Sequence, residues 1–175
     1  MRRTPRLVVR DRDAVFAAVV ELQPATLVVD VQPFVAPWGC SPDAMVSAAV
    51  ALSGYLAEAM PNLKTVVFAT NARPVFRQLL RKERPQVTSA SAARKPWRIA
   101  YVGDVPLPVV VLGDQILTDG LLTFRLHGKF LHWRVRDRIP WWPQLQAIIG
   151  EVLVQFIFSP MYSCASASNQ ARSVQ

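Results

Sequence analysis

Pro108-Val109-Val110-Val111-Leu112-Gly113-Asp114-Gln115 is the stretch on which the fold turns. Four consecutive apolar residues, three of them β-branched, make a run of strand length with no polar position in it. A strand that reads this way is buried on both faces, and that is the habit of parallel sheets. An acid stands where such a strand leaves the sheet. The same pattern recurs in Thr26-Leu27-Val28-Val29-Asp30-Val31, which lies between Pro24 and Pro33, and in Thr65-Val66-Val67-Phe68-Ala69. Helical stretches separate these runs. Ser41-Pro42-Asp43 gives a cap-like start to a helix with Met45, Ala49, Leu52 and Leu56 on one face, ended at Pro61-Asn62. Pro74 opens another through Val75, Phe76, Leu79 and Leu80, carrying Arg77, Arg81, Lys82 and Arg84 before Pro85. A weak strand over residues 86–89, a short helix from Pro96, and a helix-like stretch from Asp114 toward Leu126 follow. Residues 129–135 read as a strand, and residues 141–158 as a helix with Leu145, Ile148, Ile149, Val152, Leu153 and Phe156 at one-face spacing. Strands alternating with helices predict an α/β class with a mostly parallel sheet.

The 175 residues suffice for one domain with its own core. The expectation is a single domain over residues 1–158, followed by a disordered Ser- and Ala-rich tail over 159–175. Hydrophobic residues at 51% against 18% charged exclude a disordered chain, and no apolar run is long enough to span a bilayer. Cys40 and Cys164 are far apart and have no metal-ligand spacing around them, so a reducing interior is expected. A cytoplasmic chain, soluble or attached to a membrane surface, is the reading. The net charge of +8, with arginine as 16 of the 20 cations, favours anionic partners, because the guanidinium fork binds phosphate in a bidentate way. Nucleic acid ranks last, since nothing aromatic is interleaved with the N-terminal arginines.

In a parallel sheet the ligand site forms beyond the carboxyl ends of the strands. There the chain places Asp30, then Thr70 and Asn71, then Lys95, then Asp114 with Asp119 five residues on. Acids, a hydroxyl and a lysine on one edge suit a carboxylate nucleophile attacking phosphorus, with Mg2+ neutralising charge. Asp30 and Asp114 are the expected direct ligands, and Asp119 an outer partner. Thr70 and Lys95 are the expected phosphoryl holders. A second Asp-x-Asp loop, Asp11-Arg12-Asp13 after Leu7-Val8-Val9-Arg10, is set aside. Arg10 would end a buried strand, and the residues from Asp13 read as a helix, leaving Asp11 as its cap.

Four segments resemble, in order, those of the haloacid dehalogenase-like (HAD) phosphatases. They are Leu27-Val28-Val29-Asp30-Val31-Gln32, Val67-Phe68-Ala69-Thr70-Asn71, Arg94-Lys95-Pro96 and Val111-Leu112-Gly113-Asp114-Gln115-Ile116-Leu117-Thr118-Asp119. The last is similar to the Gly-Asp-Gln-x-x-Thr-Asp segment of the YqeG-type, subclass IIIA branch, whose eukaryotic relatives dephosphorylate phosphatidylglycerophosphate. The resemblance spans about residues 8–158. It implies a Rossmannoid three-layer α/β/α core without a large cap domain, Mg2+ as cofactor, and an aspartyl-phosphate intermediate on Asp30. It also implies Thr70, Asn71 and Lys95 around the phosphate of a phosphorylated small molecule or lipid. The metal would be held by Asp30, the backbone carbonyl of Gln32, Asp114 and Asp119. One departure matters: the family's phosphatases carry a general acid/base Asp where this chain has Gln32, and an amide has no useful pKa for proton transfer. Pro33 and Phe34 also replace a polar pair, so the alternative reading is an impaired module that binds without turnover.

His127 and His132 have no acid or cysteine at ligand spacing and are read as structural or interfacial. Arg134, Arg136 and Arg138 precede Trp141 and Trp142 and the helix of residues 141–158, a combination that suits a membrane surface. Packing of that helix on the sheet would give the same pattern and is the leading expectation for it.

Overall fold

The computed structural model describes residues 3–71, 85–90, 93–97, 105–134 and 141–161. The elements run β1 Thr4–Val9, α1 Arg12–Leu22, β2 Thr26–Asp30, α2 Pro42–Ala59, β3 Thr65–Ala69, β4 Gln86–Ala90, β5 Val109–Gly113, α3 Leu121–Arg125, β6 Lys129–Trp133, α4 Trp141–Ile157 and β7 Phe158–Pro160. All seven strands share one sheet in the order β4-β3-β2-β5-β6-β1-β7. Every pairing is parallel. The expected α/β fold with a parallel, Rossmann-like sheet is thus present, and it is more regular than the sequence implied.

The unbroken apolar runs form the centre. Every residue of β2, β3 and β5 is buried. Alternation along the strands divides the core into two faces. Leu27, Val29, Val66, Phe68, Val110 and Leu112 meet Val15 and Val19 of α1 and Met45, Ala49, Leu52 and Leu56 of α2. Val28, Val67 and Val111 point the other way, toward Leu122 of α3. On that second face Ile116, Phe130 and Phe158 form a smaller cluster beneath Val154 and Ile157 of α4. Helices therefore cover both faces in three layers. Ser41 caps α2 by accepting from the Ala44 N–H at 3.2 Å, as its position before Pro42 and Asp43 predicts.

The strand order places a switch point at the boundary of β2 and β5. From β2 the chain steps outward through β3 to β4, then returns to lay β5 on the other side of β2. Crossovers diverge there, and a crevice opens beyond the strand ends.

The Asp11-Arg12-Asp13 loop is set aside as expected, and two expectations are overturned. Residues 7–9 lie in a true strand, β1, seated between β6 and β7, far from the switch point. Asp11 caps α1 by accepting from the Ala14 N–H at 3.4 Å, and Arg10 and Arg12 are exposed, so this loop carries no site. The tail does not begin at residue 159: Phe158–Pro160 pairs with β1, and Met161 N–H donates to the Arg6 carbonyl at 2.8 Å. The open edge of β1 supplies the hydrogen bonds that fix it.

The second concerns α4. Its apolar positions Leu145, Ile148, Ile149, Val152 and Phe156 are exposed, and a different side of the helix packs inward. Gly150 faces the protein, where an added Cβ would press on the side chain of Ile116. Several expectations lie outside the described residues: the helix from Pro74 with its cations, the continuation of the segment from Pro96 beyond Trp97, Val135, Arg136, Arg138, the side chains of Trp141 and Trp142, and the tail over 162–175. Among the described residues no helix is long and apolar enough to cross a membrane.

Candidate active site

Four chain segments meet at the switch point. β2 ends in Asp30 and passes into a tight turn, Val31–Val35, closed by the Ala36 N–H on the Val31 carbonyl at 3.1 Å. β5 ends in Gly113, so Asp114 is the first residue beyond it, and the turn Ile116–Gly120 brings Asp119 back over the strand end. Thr70 and Asn71 follow β3. The loop bearing Lys95 is stitched to that end: Ala93 N–H donates to the Thr70 carbonyl and Lys95 N–H to Asn71 Oδ1, both at 2.9 Å.

The result is a buried cluster of charge. Lys95 Nζ lies 2.8 Å from Asp30 Oδ1 and 2.6 Å from Asp119 Oδ1, with the Ala69 carbonyl at 3.5 Å. Asp119 is 1% exposed, and its second oxygen accepts from the Gln115 N–H at 3.3 Å. Carboxylate oxygens of Asp30, Asp114 and Asp119 all lie within 4.8 Å of one another. Three carboxylates against one ammonium leave an excess of negative charge when all are ionised, in surroundings with little water to screen it.

Protonation states show the consequence. Burial, and then the charge of Asp119, hold Asp30 well above the usual carboxylate range, although Lys95 pulls it back. Asp114 is pushed up to about 7, again by burial first and Asp119 second. Burial works against the charge on Lys95, but Asp119 and Asp30 outweigh it and hold the ammonium above its ordinary range. The acids lack positive charge, and a divalent cation would supply it.

Asp114 Oδ1 supports that fit directly. It is buried and has no hydrogen-bond partner among the described residues, an arrangement costly for a carboxylate unless an ion satisfies it. An all-oxygen donor set of this kind suits a hard cation such as Mg2+, with water completing its shell.

A pH dependence follows. Asp114 binds its proton more tightly in the fold, at about 7, than at its ordinary value of 3.8. Stability from this group is therefore full below the ordinary value and is lost as pH rises through 7. The metal-free protein should melt lower at about pH 8 than at about pH 5, and Mg2+ should raise the melting temperature more at the higher pH. Thermal melts with and without MgCl2 at both pH values check this, and equal Mg2+ effects would count against the site.

The residues around the cluster explain how it is held. Gly113 must be glycine, because a Cβ there would overlap the Asp119 carboxylate. Gly113→Ala should push Asp119 off Lys95 and destabilise the fold by roughly 1–3 kcal/mol. Calorimetry should also show a weakened heat of Mg2+ binding. Phe34, standing where a polar residue was expected, anchors the Val31–Val35 turn in the core, with ring centroids 5.8 Å from Phe16 and 5.2 Å from Trp133. That packing accounts for the apolar character of the turn.

Behind Asp114 is a support that sequence reasoning missed. His132 is 3% exposed, and its Nε2 lies 3.0 Å from the Asp114 carbonyl. Its Nδ1 receives the Arg6 guanidinium at 3.2 Å from Nε and 2.5 Å from Nη2. Arg6 can only donate, so Nδ1 accepts and the proton resides on Nε2, pointing at the Asp114 carbonyl. Burial and the Arg6 charge pull His132 down to about 3, which keeps the ring neutral for this arrangement. Arg6 and His132 are 126 positions apart, and only the pairing of β1 with β6 brings them together.

Of the expected site residues, the structure gathers Asp30, Lys95, Asp114 and Asp119 in contact range. Asp119, assigned to an outer role, is as close to the centre as the other acids. Thr70 is buried at the end of β3, and Asn71 is exposed and holds the Lys95 loop. Gln32 is buried, and its side-chain amide donates to the Pro37 carbonyl at 3.4 Å within its own loop. No family model matches the chain, nor does any curated protein or solved structure, so the HAD resemblance rests on its four sequence segments.

Proposed function

We propose that this chain is a Mg2+-dependent phosphomonoester phosphatase of the HAD type, with Asp30 as nucleophile. One observation carries the reading: three carboxylates and a lysine from three separate segments converge at the switch point, with Asp114 Oδ1 buried and unpartnered among the described residues. A structural ion pair would need one acid for one base. Three acids around one base call for a further cation.

A cation held by Asp30, Asp114 and Asp119, together with the Gln32 backbone carbonyl that the resemblance implies, would neutralise charge on the phosphoryl oxygens. The chain's own residues supply the rest. An oxygen of the Asp30 carboxylate forms a bond to phosphorus as the bond to the leaving oxygen breaks, and the electron pair departs with that oxygen. Lys95 neutralises charge beside the nucleophile, and Thr70 lies next to it at the end of β3. Water then attacks the phosphorus of the aspartyl phosphate, releasing phosphate and regenerating Asp30. At both steps the proton must come from or go to water, because Gln32 can neither give nor take one.

A second reading is favoured by Gln32 itself. With no proton donor at that position, the chain would bind a phosphorylated ligand in the same crevice and not turn it over.

Phosphate release from a phosphomonoester panel, including phosphatidylglycerophosphate, with and without Mg2+ separates the two. Metal-dependent release from any member supports the enzyme. A ligand-induced rise in melting temperature that requires Mg2+ and yields no product supports the binding module. Neither response on any member would remove both readings.

A further inference from the structure

We propose that the outer face of α4 is a docking surface for an anionic lipid bilayer. Leu145, Ile148, Ile149, Val152 and Phe156 fall within roughly 100° of the helix circumference. Ile148 is 68% exposed, Val152 62% and Phe156 63%, so this face is unpartnered among the described residues. Soluble chains seldom leave so continuous an apolar stripe in water. The helix is held from behind: Gly150 lies against Ile116, and Val154 and Ile157 pack on Phe130 and Phe158. Its outer face is thus fixed and presented, with no second task inside the fold.

Charge decides the occupant. Along one flank of the stripe stand Gln144, Glu151 and Gln155, all exposed. Glu151 is the only acid in α4, and its Oε1 is met by Arg134 at 2.6 Å and Arg6 at 3.5 Å, so the flank carries no free negative charge. Beside it a cavity of about 490 Å³ opens between α4 and the β1–β7 edge, with Leu7, Val154, Phe158 and Met161 in its walls and Arg3 and Arg6 on its lining. Of these two cations Arg3 is exposed, whereas the Arg6 guanidinium is engaged by His132 and Glu151. The chain as a whole carries +8, so a second copy on this face would bring like charge to like charge, while an anionic bilayer attracts it. The geometry is that of a helix lying in the interface plane with its apolar side among the acyl chains.

The test is co-sedimentation of the full chain with vesicles of phosphatidylcholine and of phosphatidylcholine mixed with phosphatidylglycerol, at low and raised salt. The chain should sediment with the mixed vesicles, less so with phosphatidylcholine alone, and added salt should weaken the binding. Ile148→Asp combined with Val152→Asp should lower the partition about tenfold or more, through the lost apolar burial alone. The melting temperature should hold, because both side chains already face solvent. Val50→Asp, an exposed position on α2, should bind as the native chain does. Absence of native binding to either vesicle overturns the proposal, as does equal binding by the α4 double variant. A concentration-dependent dimer that the double variant dissociates, seen by light scattering, also overturns it in favour of self-association. Phosphate release from a soluble substrate is read separately, so the two proposals stand or fall apart.

Discussion

Replacing Asp30 with Asn is expected to lower Mg2+-dependent phosphate release by roughly 10⁴-fold or more, about the scale of losing a nucleophile. The reason is electronic: an amide oxygen is a poor nucleophile toward phosphorus, and the acyl phosphate it would need to form is not accessible from an amide. Shape is nearly conserved. The Asn oxygen can still accept from Lys95, which now lies 2.8 Å from Asp30 Oδ1 and keeps Asp119 at 2.6 Å. The substitution also removes a charge that burial and Asp119 already disfavour. The variant should therefore fold, and circular dichroism with a thermal melt should establish that before activity is compared. Residual release within a few-fold of the native chain would place the nucleophile elsewhere.

Gln32→Asp is expected to do the opposite, raising turnover of alkyl phosphates by about 10² to 10⁴, the usual contribution of a positioned proton donor. Leaving groups distinguish the cause. An aryl phosphate departs as a stable phenolate and needs little protonation, so the native chain should release the phenolate with a smaller deficit. An alkyl phosphate leaves as a strongly basic alkoxide, so its native rate should be far lower and its gain in the variant far larger. Asp is shorter than Gln by one methylene, and among the described residues the side-chain hydrogen bond lost is the long one to the Pro37 carbonyl. A strong fold effect is therefore not expected. Read as the burst of leaving-group release, which excludes the shared hydrolysis of the aspartyl phosphate, equal gains on aryl and alkyl substrates would argue that position 32 acts by packing rather than by proton transfer.

Much of this architecture was legible in the sequence, for a physical reason. Strands buried on both faces rarely carry polar residues in their interior, so β2, β3 and β5 appear as apolar runs, and the acids that end β2 and immediately follow β5 stand out against them. The convergence of Asp30, Lys95, Asp114 and Asp119 was foreseeable from the strand ends, the loop before Pro96 and their order along the chain. Contacts made by pairing distant strands were not. His132 and Arg6 support Asp114 from opposite ends of the chain, and neither has a local motif around it. β7 is three residues long and owes its existence to the open edge of β1. The orientation of α4 was misread because periodicity reveals an apolar face without saying which side packs. Gly150 was the available signal: a small residue marks where a helix approaches its neighbour closely, here at Ile116.

The absence of a proton carrier at position 32 has one more consequence, and it offers the most direct test. Formation of the aspartyl phosphate from an aryl phosphate needs little acid assistance, whereas its hydrolysis needs water to be activated. The native chain should accordingly accumulate the intermediate. After incubation with an aryl phosphate and Mg2+ and an acid quench, intact-protein mass spectrometry should show one added phosphoryl group. Peptide mapping should place it on Asp30, and it should be absent without Mg2+, absent in Asp30→Asn and diminished in Gln32→Asp. Phosphate release with no covalent phosphoryl group, or a label that persists in Asp30→Asn, would contradict the account.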